Sequence, residues 1–258
     1  MTAIEISPET IKRVKRALST QITTAKSSTL TECLASGLGY KTHAALVADF
    51  DEDPEIRLFS ETDFGARFLE LNPNPRVETN AAVERALASA IGPGVIPTKP
   101  NNGNAVRIAD TKRNRAWQNV MVAAVNEAIA RRHITVRAGD NRWTQSDNDV
   151  GIGFHFEIEG HPAYCHLRDA GWDEVAVKVT VWPTAEVEKW GRVAIAARRG
   201  AYLAGDLYAS GWLERKDGAW LQTPESHVIF CKRDRLDTAA HFERQRPLGF
   251  AASGPFKM

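Results

Sequence analysis

The chain has 258 residues, with 33 Lys and Arg against 32 Asp and Glu, a formal net charge of +1, and 43% hydrophobic and 25% charged residues. That balance is globular rather than disordered and gives no overall attraction to polyanions. No apolar run approaches the ~18 residues needed to span a bilayer, and the opening MTAIEISPETIKRVKR has no apolar core of a secretory signal. Cys33, Cys165 and Cys231 form no CxxC pair, so the expectation is a reduced, cytoplasmic protein without a disulfide framework.

Ser7-Pro8-Glu9 opens a first helix with an N-cap, a proline at the first helical position and an acid at the positive dipole end. Ile11, Val14 and Leu18 give it an apolar stripe among basic residues. Further helices are predicted over 29–36, stopped by Gly37, then from Thr42, over 64–71 and over 79–91. The Gly-, Pro- and Asn-rich stretch 92–104 reads as a linker without regular structure. The expected organisation is a helical domain over 1–91 and an α+β antiparallel-sheet domain over 105–258.

In that second domain 114–132 reads as a long helix with Trp117, Met121, Ala124, Val125 and Ala128 on one stripe. A strand is expected at 134–136. A hairpin turning at Gly160-His161, with His161 as a turn residue, places Phe154, Phe156 and Ile158 opposite Leu167, Cys165 and Ala163 on one apolar face. Val175, Val177, Val179 and Val181 alternate as a third strand. A helix from Thr184 would cover the apolar face, and 201–208 would continue it as a helical turn. Trp212-Leu213 and Trp220-Leu221 flank a turn at Lys216-Asp217-Gly218, 226–231 reads as a strand, and 236–242 as a last helix. Trp182, Trp190, Trp212 and Trp220 are expected to fill the core between helix and sheet. The fold class is thus α+β, an antiparallel meander covered on one face by helices.

Two clusters carry possible chemistry. In the register above, His155 faces His166 with Glu157 and Tyr164 alongside, about 4.5–5.5 Å apart at Cβ. Such a group suits metal-assisted or acid–base catalysis; the other reading is a solvated strand face. Lys112, Arg113 and Arg115 stand at the N-terminal entry of the long helix. There they oppose the macrodipole, yet together with free N–H groups and a stacking Trp117 they suit a nucleic-acid phosphate. The other reading is a solvated loop with Trp117 in the core. Walker A, GxSxG and complete GxGxxG patterns are absent.

The stretch ECLASGLGYKTHAAL, with Leu34-Ala35, Gly39-Tyr40, Thr42 and His43, resembles a small helical module at the N-terminus of glyoxalase-related proteins and of uncharacterised proteins of bacterial plasmids and integrated elements. The resemblance covers about residues 29–47. Where that family often opens the helix on Ser-His, this chain has Ser27-Ser28. The module implies no catalytic residues. Together with the missing catalytic motifs and the segregated charge, the resemblance leads to the expectation of a non-enzymatic binding protein of a bacterial mobile element or defence locus, without a cofactor or metal; the alternative is a metal-assisted or acid–base enzyme with its site at His155, Glu157, Tyr164 and His166. The helices would engage a protein partner, and the basic entry at 112–115 would touch nucleic acid. An acidic run over 49–55 argues against groove reading by the helix before it.

Overall fold

A computed structural model describes residues 2–73, 79–98, 110–140, 151–183, 205–222, 229–231 and 233–252. It is an α+β fold whose chain divides into two compact units. Unit 1 is Met1–Lys99 with Leu248–Phe250, and unit 2 is Pro100–Pro247 with Ala251–Met258. Among the described residues no helix is long and apolar enough to cross a membrane.

Unit 1 is built on a three-stranded antiparallel sheet that the sequence did not disclose. β1 (Thr2–Glu5) lies between β2 (Ile56–Phe59) and β3 (Val95–Pro97). β3 falls inside the stretch read as an unstructured linker, which corrects that expectation; residues 99–104 of it lie outside the described residues. These strands are too short for alternation to register as a pattern, and their pairing joins segments far apart in the chain. Around the sheet stand α1 (Pro8–Gln21), α2 (Ser27–Gly37), α3 (His43–Ala48), α4 (Glu61–Leu71) and α5 (Thr79–Ser89). Ser7 caps α1 by accepting from the Thr10 amide, as its sequence dictates, and Thr42 and Ser60 cap α3 and α4 in the same way. The core joins Ile4, Val14, Leu18, Leu30, Leu34, Phe59, Phe64, Phe68, Val83 and Leu87.

The LASGLGY segment has a mechanical explanation. Gly39, at φ 85°, ends α2 in the left-handed region. Its amide donates to the Ser36 carbonyl (2.9 Å) and that of Tyr40 to the Ala35 carbonyl (2.9 Å), which is a Schellman motif. Gly37 serves close approach instead: a Cβ there would sit 2.6 Å from the Phe59 ring. Tyr40 then lies under the Arg57 guanidinium, 4.4 Å from its ring centre, and donates to Asp49. Arg57 also bonds Glu55 (2.9 Å) and Asp49 (3.4 Å), so part of the acidic run is engaged locally.

Unit 2 centres on α6 (Lys112–Ala130), which is apolar on more than one face. Trp117, Met121, Ala124 and Val125 are buried, and so are Val120, Val122 and Ala123 outside the expected stripe. α6 packs on a six-stranded antiparallel sheet with path β4-β5-β6-β7-β8, in which β9 also pairs with β7. Its strands are β4 (Ile152–Ile158), β5 (His161–Gly171), β6 (Glu174–Pro183), β7 (Gly205–Glu214), β8 (Trp220–Gln222) and β9 (Ile229–Cys231). The helix α7 (Arg233–Ala240) also packs on α6. Buried Asn119 holds this end of the chain by donating to the carbonyls of Ala239 (3.1 Å) and Phe242 (3.0 Å), and Asn126 donates to that of Arg246 (3.0 Å).

Several expectations for this unit are corrected. Residues 134–136 form no strand; Ile134 and Val136 are buried in an irregular segment after α6. Over 205–208 the expected helical turn gives way to β7, whose alternate residues from Gly205 to Leu213 are buried, while 201–204 lie outside the described residues. Strand period and helix period are hard to separate where glycine and alanine fill the inward positions. The expected helix from Thr184 and Trp190 lie outside the described residues; among the described residues α6 packs on the apolar face. Trp212 stands on the opposite face of β7 from buried Leu207, Ala209 and Leu213. Trp182, at φ 53°, meets His161 (5.3 Å) and Phe242 (6.2 Å) with tilted rings at the sheet margin, so His161 is a packed strand residue and not part of the turn.

Gly37→Ala is expected to destabilise the full chain by about 1–3 kcal/mol, because the buried Phe59 ring must move. Gly65→Ala inside α4, where a Cβ meets only the Asn80 side chain at 3.4 Å, should be neutral or stabilise by up to ~1 kcal/mol. Chemical denaturation of both variants checks the pair, and equal midpoints would contradict the packing account.

Candidate functional site

The first hairpin keeps its faces but not its partners. Its turn is Glu159-Gly160, with φ 49° and 75°, the pattern of a type I′ turn. Cys165 therefore lies opposite Phe154, Tyr164 opposite His155 and Pro162 opposite Glu157. A shift of two residues leaves every side chain on its own face, which is why facial segregation could not detect it. His155 and His166 are thus not opposed: His166 faces Gly153 and, on the other side, Lys178. Tyr164 meets His155 edge-on at 4.8 Å. Its hydroxyl lies over Gly153, at the place a Cβ would take. Glu157 is exposed across from Pro162. Among the described residues no three His, Cys, Asp or Glu side chains converge to hold a metal.

At the basic entry of α6, Trp117 follows the second of its two readings, the core. Trp117 is fully buried and donates its indole N–H to the Ser210 carbonyl at 2.9 Å, so it offers no stacking face. Lys112 pairs with Asp237 (2.6 Å) and Arg115 with Asp110 (3.3 Å). Arg113 also has an interaction within the chain. Thr111 caps the helix by accepting from the Asn114 amide at 3.1 Å.

A different constellation stands out at the β5–β6 turn. Gly171 pairs with Glu174, leaving Trp172-Asp173 as a two-residue turn with φ 58° and 62°. Asn-Gly is the usual occupant of such a turn, and a bulky side chain in the left-handed region costs roughly 1–2 kcal/mol. Despite that cost Trp172 is 86% exposed.

The turn is braced from beneath. The Arg215 side chain, with no exposed surface, donates through Nε to the Asp173 carbonyl (3.2 Å) and through Nη1 to the carbonyls of Asp140 (2.8 Å) and Thr135 (3.3 Å). The Asp173 carboxylate lies 3.7 Å from Arg215 Nη2 and accepts from the Gly139 amide at 2.7 Å. Asp169 accepts from the Gly171 amide at 2.8 Å. Burial pulls the Arg215 pKa down against these carboxylates. Arginine holds its proton in any case, because its ordinary pKa is so high.

On the same end of the sheet Glu174 and Glu214 face each other across β6 and β7, and Gln222 donates to Glu174 at 3.1 Å. Desolvation first, then the hydrogen bond and charge of Glu214, lift the Glu174 carboxyl above the ordinary carboxylate range. Cys33 and Cys165 are buried, and burial pushes the Cys33 thiol up to about 11 and raises Cys165 as well, so neither is a poised nucleophile. Trp172 carried no sequence signal, because the segment reads only as a polar turn; the mismatch of Trp-Asp with a two-residue turn becomes visible once the register is known.

No family model, curated protein or solved structure matches the chain.

Two outcomes follow from this geometry. Arg215→Ala should destabilise by at least ~3 kcal/mol, since it leaves buried carbonyls without donors and Asp173 without its cation; denaturant titration reads this directly. Because the folded state raises the Glu174 pKa, the associated stability is present below the unfolded carboxylate pKa and is lost as pH rises through the folded value. Glu214→Gln removes the repulsion, and should raise stability by about 0.2–1 kcal/mol at neutral pH. The gain should vanish near pH ~4, where carboxyls protonate. A pH-independent gain in thermal melts would contradict repulsion between the two carboxylates.

Proposed function

We propose that this chain acts by binding a macromolecular partner, and that the β5–β6 turn of unit 2 is the contact. The observation that carries the reading is Trp172, 86% exposed in a left-handed conformation at a turn locked by buried Arg215. Strained backbone is retained where the surroundings over-determine it, and such positions cluster at ligand clamps and binding surfaces. A rigidly displayed tryptophan loses little entropy on docking and buries a large apolar area, which is why tryptophan dominates binding hot spots.

The cationic entry of α6 supports this function less well, because Lys112 and Arg115 already face carboxylates and Trp117 is buried. The tip needs no rearrangement to present its side chain.

In size-exclusion chromatography of extract from the source cells, the tagged full chain should elute in an assembly larger than the purified chain. Trp172→Ala should elute at the size of the purified chain, with an unchanged melting temperature, since an exposed side chain contributes within about 0.5 kcal/mol. Identical elution of the variant and the wild-type chain would remove the tip from the function.

A further inference from the structure

We infer that the partner of the β5–β6 tip is a protein offering an apolar pocket with a basic rim. The inference rests on the tip being the contact, as proposed above. What decides the partner's chemistry is the charge around Trp172. Asp169 accepts from the Gly171 amide at the turn, Asp173 lies within it, Asp140 gives its carbonyl to the Arg215 that braces it, and Glu174 and Glu214 stand opposite each other on the strands beside it. Arg215 itself is enclosed, its guanidinium bonded to main-chain carbonyls, so its charge is turned inward. Among the described residues at this end, Arg137 and Arg168 are half-buried, as are Asp140, Asp173, Glu174 and Glu214, and exposed Lys216 stands beside exposed Asp217. Asp169, on the strand leading to the turn, is exposed. Among the described residues six carboxylates, Asp217 included, thus stand against four cations, Arg215 included, and the balance is acidic.

That balance selects among the three surfaces a tryptophan commonly meets. Single-stranded nucleic acid stacks on aromatics, but its phosphates need cations beside the ring. Membrane interfaces accept tryptophan, yet anionic headgroups are drawn to basic and not acidic flanks. A protein pocket lined by apolar groups and rimmed by Lys or Arg satisfies both the indole and the carboxylates. Rim charges of this kind act mainly on the association rate and its salt dependence.

The test replaces Trp172 with the photoreactive residue p-benzoylphenylalanine in the full chain, expressed in the source cells. After irradiation the cross-linked peptides are sequenced, with the same residue at exposed Lys12 of α1 as control. The expected result is cross-linking to one protein, at an apolar site with Lys or Arg around it. Yield should fall about 3–10-fold when Asp169→Asn and Asp217→Asn are introduced together, as for loss of steering charges. Asparagine keeps an acceptor for the Gly171 amide, so the turn is preserved. Cross-links to nucleic acid or lipid, or to a protein surface without basic residues, would overturn the inference while leaving the tip as the contact. Yield unchanged by the two asparagines would do the same. Cross-linking no greater than at the Lys12 control would overturn the reading of the tip itself, and this inference with it.

Discussion

The end of unit 2 that carries the exposed tryptophan depends on one buried cation. Arg215, just after β7, ties the irregular chain after α6, through Thr135 and Asp140, to the β5–β6 turn, through Asp173, which the pairing of β6 with β7 already sets beside it. An ionised guanidinium without exposed surface is tolerable only when its N–H groups are satisfied, and main-chain carbonyls do this without introducing a competing buried anion. The planar, forked donor set of arginine reaches several acceptors at once, which lysine could not reproduce. Surface contacts alone would not hold Trp172-Asp173 in a left-handed turn; the bonds beneath it do.

The same logic, with glycine in place of a cation, governs the end of α2 in unit 1. The helix must stop, reverse and let a phenylalanine ring from the segment before α4 lie against its last turn. Gly37 supplies the space and Gly39 the left-handed turn, while Tyr40 and Arg57 engage carboxylates of the acidic run. A short sequence pattern that invites a functional reading is here accounted for by packing and by helix termination. The two ends differ in consequence. At Gly39 the strained conformation is relieved by choice of residue, whereas at Trp172 it is kept and the bulky side chain is displayed.

Helix caps, the α6 segment, the alternating valines of β6 and the turn between β7 and β8 were all legible, because each is written in neighbouring residues: Ser7 before Pro8, Thr42 before His43, Val175 to Val181, Lys216-Asp217-Gly218. The hairpin of β4 and β5 was legible as to faces and not as to register. A two-residue shift preserves every inward and outward assignment, so His155 opposite Tyr164 and His155 opposite His166 are equivalent to any argument from alternation. β1 and β3 were hidden for another reason: each is a few residues long, and their partners lie far away in the chain.

By itself, then, the sequence determined the α+β class, the caps that open α1 and α3, and which sides of β4, β5 and β6 face the core, since these follow from local capping chemistry and from periodicity. Tertiary structure alone decided between the two readings of Trp117, and decided that Lys112 and Arg115 meet carboxylates, that Arg215 is buried and that Trp172 is not. Burial of a single polar or aromatic residue depends on which distant segment packs over it, and no local pattern encodes that neighbour.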